Sequence, residues 1–134
     1  MSSRKCAVKV NQGAFSIDGV NTEFLVADYG SDCFVQISQV GKVGKLIKAV
    51  RDKPDHLEGF STYTITNLLG ASDEKIDVLA RQIVAELNKS PPYKSLLLGF
   101  SCKKIPPFTL ILNILKNLGL KSVVHNAVPL PIAT

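Results

Sequence analysis

Cysteine, histidine and tryptophan are scarce in this sequence of 134 residues, which has three cysteines, two histidines and no tryptophan. Cys6, Cys33 and Cys102 lie far apart and form no CxxC pair, so the pattern predicts neither a disulfide framework nor a zinc site. His56 and His125 lie in the two segments with the weakest secondary-structure signals, which disfavours catalysis by histidine. The sequence therefore predicts no catalytic residues, no metal site and no cofactor.

Long apolar runs are missing as well. No stretch reaches the roughly 20 apolar residues that a membrane-spanning helix needs. The segment Met1–Lys5 leads directly into short alternating segments, without the apolar region of a secretory signal. We therefore expect a protein of the cytoplasm, with the nucleus as a second compartment, and no membrane partner.

The charge of the chain is positive but dispersed. The net charge is +5, yet the lysines and arginines form no basic stripe interleaved with aromatic residues. The densest basic stretch runs from Lys42 to Lys53. It contains the acidic residue Asp52, and Asp55 and Glu58 follow it closely. Such a mixture is typical of a solvated segment that faces a protein partner, so we expect no nucleic-acid partner.

Length and composition indicate one domain over residues 1–134. With 46% hydrophobic and 20% charged residues, the chain resembles ordinary globular proteins and differs from disordered ones. The predicted core covers about residues 6–119, and a tail that contains Pro129 and Pro131 covers residues 120–134.

Alternating apolar residues separated by turn residues predict six β-strands. Asp18-Gly19 is a hairpin signal between the first two strands, and Gly30-Ser31-Asp32 separates the second from the third. Gly41-Lys42-Val43-Gly44 ends the third strand and permits a sharp reversal into the fourth. The predicted strands cover residues 6–17, 20–29, 33–40, 45–50, 62–66 and 95–100.

Two amphipathic helices are predicted, one before and one after the sixth strand. Ser72 is the expected N-cap of the first helix, whose apolar residues recur at three- and four-residue spacing up to Leu87, and Pro91-Pro92 stop it. The second helix is expected to begin near Pro106-Pro107 and to end at Gly119. A run of strands followed by late helices indicates an α+β fold.

The strand patterns indicate that both faces of the sheet are covered. Phe24 and Val26 lie on one face of their strand, and Leu25 and Ala27 lie on the other, so both faces are apolar. Because two helices cover one face only, a second copy or a related subunit is the simplest cover for the other. We predict a six-stranded antiparallel sheet with two helices on one face, which dimerises through the other face. The tail, residues 120–134, is the alternative cover.

An exposed loop is predicted between the fourth and fifth strands. From Arg51 to Gly59 the sequence contains Pro54 and several charged side chains, with little that is apolar. Ordering such a loop costs entropy without core burial, which favours a role in recognising a partner. The strand ends near the turn at 41–44 form a second candidate contact region. The predicted partner-binding residues are Arg51, Lys53, Pro54, Asp55, His56, Leu57 and Glu58 in the loop, and Gly41, Lys42 and Gly44 in the turn.

Three short segments occur in a distinctive order along the chain. They are Gly19-Val20-Asn21-Thr22 at the first turn, the segment Ser38–Gly44 after the third strand, and Asn67-Leu68-Leu69-Gly70 before the first helix. Their order and spacing resemble the proteasome assembly chaperone 3 family. The resemblance spans about residues 8–118, and the tail extends beyond it.

The resemblance implies a small six-stranded antiparallel sheet with two helices, paired as a homodimer or with proteasome assembly chaperone 4. It also implies a non-catalytic chaperone that binds alpha-type proteasome subunits, promotes assembly of the alpha ring of the core particle and leaves before the particle is complete. The mobile loop of the family corresponds to Arg51–Gly59. One rival interpretation is a ligand-binding or enzymatic α+β domain with a pocket between helices and sheet. Another is a subunit of a different regulatory complex.

Overall fold

Within residues 9–39, 44–52, 62–89 and 93–120, which the computed structural model describes, the chain forms six strands and two helices. Five strands precede the first helix, and the sixth lies between the helices, as the sequence predicts. No helix in these ranges is long and apolar enough to cross a membrane. The elements are β1 (Lys9–Ile17), β2 (Val20–Asp28), β3 (Asp32–Ser38), β4 (Lys45–Arg51), β5 (Tyr63–Leu69), α1 (Glu74–Leu87), β6 (Ser95–Ser101) and α2 (Phe108–Asn117).

The described strands form one mixed sheet in the order β1-β2-β3-β6-β4-β5. The predicted α+β class is confirmed. The sheet was predicted to be antiparallel throughout and is so at every pairing except one, because β3 and β6 are parallel, with Val35 beside Leu98. Parallel neighbours need a crossover connection, and α1 lies in the connection that precedes β6. The chain re-enters the sheet at the end where β3 begins, because Ser95 N–H donates to the carbonyl of Ser31 at 3.0 Å.

The first three strands form the predicted antiparallel meander. Between β1 and β2, Asp18 and Gly19 have φ angles of 54° and 78°. Positive φ at both central residues is typical of a two-residue type I′ hairpin turn, whose twist matches that of the strands it joins. The Asp18-Gly19 signal in the sequence therefore fixes the β1–β2 register, with Ile17 paired to Val20.

One face of the sheet packs against both helices. Phe24, Val35 and Leu98 are fully buried on this face, and the Phe24 ring meets Phe15 edge to face with centroids 5.8 Å apart. The apolar stripe predicted for the first helix is the stripe that α1 buries. Its buried residues are Ile76, Leu79, Ala80, Ile83, Val84 and Leu87, and those of α2 are Ile111, Ile114 and Leu115.

The two ends of α1 are held by side chains. The prediction of Ser72 as the N-cap is wrong, because the adjacent Asp73 carboxylate accepts a hydrogen bond from the Lys75 N–H at 2.9 Å. A charged acceptor at this position also interacts favourably with the helix dipole. At the other end, Asn88 exchanges two hydrogen bonds with the backbone of Lys94, at 2.9 and 2.7 Å, which positions the start of β6 against α1.

Glu86 connects the two helices through ion pairs. Its Oε2 atom lies 3.0 Å from Lys89 Nζ and 3.1 Å from Lys116 Nζ of α2, and the side chain is only 13% exposed. Burial raises the pKa of the Glu86 carboxyl, but the hydrogen bonds and charges of the two ammonium groups outweigh burial. The pKa of Glu86 therefore lies below its ordinary value.

We expect Glu86→Gln to lower the urea midpoint of unfolding at pH 7, because both ion pairs are lost. The Glu86 pKa is lower in the folded state than in the unfolded chain, so its stabilisation is complete above the unfolded value and is lost as pH falls. The difference between wild type and variant should therefore shrink between about pH 5 and about pH 3. Glu74→Gln, at an exposed carboxylate of the same helix, is the control and should show a smaller change. A Glu86→Gln difference that stays constant over this pH range would contradict the assignment.

Candidate functional site

The face of the sheet opposite the helices carries an apolar centre. We call it the open face and define it by two rows that the strand register places side by side. None of its larger apolar residues, such as Leu25, Phe34 and Leu97, belongs to the core that packs against the helices. The first row is Val10, Ala27, Phe34, Leu97, Lys48 and Thr66, and the second is Gln12, Leu25, Gln36, Gly99, Leu46 and Leu69.

The centre of the open face is apolar, and its edges carry mainly polar groups together with the exposed apolar residues Val10 and Leu69. Phe34 and Leu97 are adjacent in register and only partly buried, and Lys48 and Thr66 continue their row toward the β5 edge. Toward β1 the surface has a depression of about 490 Å³, lined in part by Leu25 and by polar side chains of β1, β2 and β3. An apolar centre with a polar rim is the usual anatomy of a protein–protein interface.

The predicted loop begins from a well-defined base. Thr62 and Thr64 donate hydrogen bonds to the Asp52 carboxylate at 2.7 and 2.5 Å, and the Asp52 N–H donates to the Thr62 carbonyl at 2.9 Å. The hydroxyls of Thr64 and Thr62 lower the pKa of the Asp52 carboxyl below its usual value. Arg51 is the last residue of β4, and its guanidinium lies 4.0 Å from the centroid of the Tyr93 ring.

The structure places Arg51 and Gly44 near opposite ends of β4, so it does not bring these two predicted contact residues together. The remaining predicted contact residues lie outside the described ranges. They are Lys53, Pro54, Asp55, His56, Leu57 and Glu58 in the loop and Gly41 and Lys42 in the turn.

Gly44 lines a cleft that was not predicted from the sequence. The cleft lies between the start of α1 and the end of β6 and has a volume of about 690 Å³. Its lysines come from three separate segments of the chain. Only Lys103 and Lys104 are adjacent in the sequence, so no other part of the cleft is visible there as a basic cluster. We call it the basic cleft and define it by Gly44, Lys45, Asp73, Lys75, Ile76, Phe100, Ser101, Cys102, Lys103, Lys104 and Ile105.

The described residues provide little for catalysis. Burial raises the pKa of the Cys33 thiol to about 12 and that of Cys102 to about 11, so both thiols are protonated at neutral pH and are weak nucleophiles. No group of three or more histidine, cysteine, aspartate or glutamate side chains in the described ranges could hold a metal ion.

The rival interpretation requires a pocket between helices and sheet with converging polar groups. A depression of about 250 Å³ lies between α2 and the β1–β2 hairpin. Asp18 is the one titratable group among its described lining residues, so it offers no acid–base pair. Its lining residues are Phe15, Ser16, Ile17, Asp18, Pro107, Leu110 and Ile114.

Comparisons of sequence and of fold both match this chain to chaperones of proteasome assembly. The family model described as proteasome assembly chaperone 3 matches residues 35–118. The chain is 30% identical, over 103 residues, to a Nematostella vectensis protein named proteasome assembly chaperone 3, and the match covers 72% of this chain and 76% of that protein. The fold of the present chain is similar to that of a chain in a crystal structure of a chaperone complex for yeast 20S proteasome assembly, with a TM-score of 0.63. That match covers 82% of this chain and 98% of the yeast chain at 18% identity, and it supports the fold alone.

Proposed function

Because the chain belongs to the proteasome assembly chaperone 3 family, we propose that it is a non-catalytic chaperone that promotes assembly of the alpha ring of the proteasome core particle. The observation that carries the proposal is the family match over residues 35–118, which extends from within β3 to just beyond α2. In this proposal the chaperone acts in the cytoplasm as a homodimer or as a heterodimer with proteasome assembly chaperone 4. It binds alpha-type subunits and catalyses no reaction.

The dimer is proposed to form through the open face. Phe34 and Leu97 lie at its centre, and no described element packs over them from outside the sheet. A second sheet stacked on this face would bury both rows, and sheets pack face to face at about 10 Å. With a two-fold axis through the centre, the apolar rows of one protomer pack against the same rows of the other. One surface then buries the apolar centre of both protomers. The alternative cover, the tail at 121–134, lies outside the described residues.

Client recognition is proposed to involve the loop between β4 and β5. The hydrogen bond between the Asp52 N–H and the Thr62 carbonyl brings the two strand ends close enough for a two-residue hairpin turn. Nine residues, 53–61, stand in its place, with charges on Lys53, Asp55 and Glu58. Charged groups of this kind speed the encounter with a charged partner more than they tighten the final complex.

We expect that replacing residues 53–61 with Asn-Gly leaves folding and dimerisation unchanged but weakens binding to the alpha-type subunit. The loss should be at least about tenfold and should be greatest in the association rate at low salt, where steering is least screened. Binding of purified alpha-type subunits to the immobilised chaperone, measured by biolayer interferometry at low and high salt, tests this. A loop of unchanged length built from glycine and serine is the control for length alone. Unchanged rate and affinity for the Asn-Gly variant would assign client binding to another surface.

A further inference from the structure

The basic cleft combines an apolar floor with a rim of lysines. Phe100, Cys102, Ile105 and Ile76 provide the apolar part of the lining, from the end of β6, the segment after it and the first turn of α1. Four lysines and one carboxylate provide the charged part. These charged residues are Lys45, Lys75, Lys103, Lys104 and Asp73.

Within the part of the chain that the structure describes, most of the positive charge of the cleft is not neutralised by ion pairs. Lys45 Nζ donates a hydrogen bond to the carbonyl of Ala71. Lys75, Lys103 and Lys104 form no ion pair with any residue in the described ranges. The carboxylate of Asp73 already accepts the capping hydrogen bond from the Lys75 backbone, 2.9 Å away. Three ammonium groups therefore remain for a partner that carries negative charge.

The rim is built on a fixed backbone. Gln39 N–H donates to the Ser101 carbonyl at 2.8 Å, and the Lys103 N–H donates to Gln39 Oε1 at 3.1 Å. The Gln39 amide in turn donates to Thr22 Oγ1 at 3.2 Å, and Thr22 is fully buried. The segment that carries Lys103 and Lys104 is thus tied to the sheet, so a partner binds there without first having to order it.

We propose that the basic cleft binds an extended acidic segment of a partner protein, with one apolar side chain on the floor and carboxylates paired with the lysines of the rim. The charge of the rim fits carboxylates, and the floor beside Ile105 fits an apolar side chain between them. The cleft uses none of the residues of the open face, so this site stands independently of the proposed dimer.

A protein segment fits the cleft better than a nucleic acid does. Single-stranded nucleic acids bind by stacking bases on exposed aromatic rings along a basic groove. Phe100 is the one aromatic residue among the described lining residues, and it is only 4% exposed, so its ring face is not available for stacking.

The test uses the full chain and a fluorescein-labelled heptapeptide with one phenylalanine flanked on each side by three glutamates. Fluorescence anisotropy at low salt should show saturable binding that weakens at least about tenfold at high salt. Lys103→Glu combined with Lys104→Glu should weaken binding at least about tenfold. Lys9→Glu combined with Arg81→Glu makes the same change in net charge at exposed positions outside the cleft and outside the Glu86 ion pairs, and it should bind like wild type. Circular dichroism confirms that both double variants are folded.

Four results would overturn the proposal. The first is equal weakening in the two double variants, which would indicate a nonspecific charge effect. The second is equal binding of a peptide in which glycine replaces the phenylalanine, which would show that the apolar floor of the cleft does not contribute to binding. The third is tighter binding of a single-stranded oligothymidine than of the peptide. The fourth is peptide binding that occurs only after removal of residues 53–61, which would indicate that this segment of the same chain occupies the cleft.

Discussion

Replacing Ile83 with aspartate is expected to unfold the protein at room temperature or to leave it only marginally stable. Ile83 is fully buried in α1, in the layer between that helix and the sheet. A carboxylate at this position would lose its hydration and find no cation, which costs more than about 3 kcal/mol. Domains of this size are stable by only about 5 to 15 kcal/mol, so a loss of this size is a large part of the total.

Urea titration followed by far-ultraviolet circular dichroism measures the effect. Gln82→Asp, at the exposed neighbouring position, places the same charge on the same helix and should change the midpoint little. Leu79→Asp, one turn earlier on the buried stripe, should behave like Ile83→Asp. A soluble Ile83→Asp protein with the wild-type midpoint would show that this face of α1 does not meet the sheet.

Replacing Leu97 with aspartate is expected to convert the proposed dimer into a folded monomer. Leu97 lies on β6 between Phe34 and Lys48, at the centre of the open face. In a two-fold dimer each substitution occurs twice near the axis, so two carboxylates would be buried without partners. We expect the dissociation constant to rise at least about 100-fold, which corresponds to about 2.7 kcal/mol.

Sedimentation velocity over a range of micromolar concentrations measures this change. Val78→Asp is the matched control, because Val78 is a 53% exposed apolar residue on α1, away from the open face. The control should remain dimeric, and both variants should keep the wild-type circular dichroism spectrum. The proposed dimer is wrong if the wild-type protein sediments as a monomer throughout, or if Leu97→Asp dimerises as wild type does.

Local patterns were sufficient to predict the elements of the fold. The spacing of apolar residues predicted the α1 stripe that the structure buries, and Asp18-Gly19 predicted the first hairpin. Both signals depend on a few neighbouring residues. The N-cap of α1 was misplaced by one position because Ser72 and Asp73 are both good caps, and the geometry that selects between them depends on the preceding chain.

Strand order and surface sites were harder to predict, because they depend on residues far apart in the chain. The pairing of β3 with β6 brings Asp32 beside Ser95, and no local pattern encodes that pairing. The apolar residues on both sides of the strands did indicate the open face. The basic cleft was missed because Lys45, Lys75 and the pair Lys103-Lys104 meet only after the sheet is assembled.

The central position of β6 has a consequence for how the protein folds during synthesis. Strands β1 to β3 and strands β4 to β5 can each pair locally, but their inner edges, at β3 and β4, meet only through β6. Residues 95–101 leave the ribosome after all the other strands, so any pairing within β1 to β3 or within β4 and β5 that forms earlier leaves its inner edge unpaired. Such edges readily pair with other chains. We therefore expect this chain to be most prone to aggregate in the interval before β6 inserts, and insertion of β6 to end that interval.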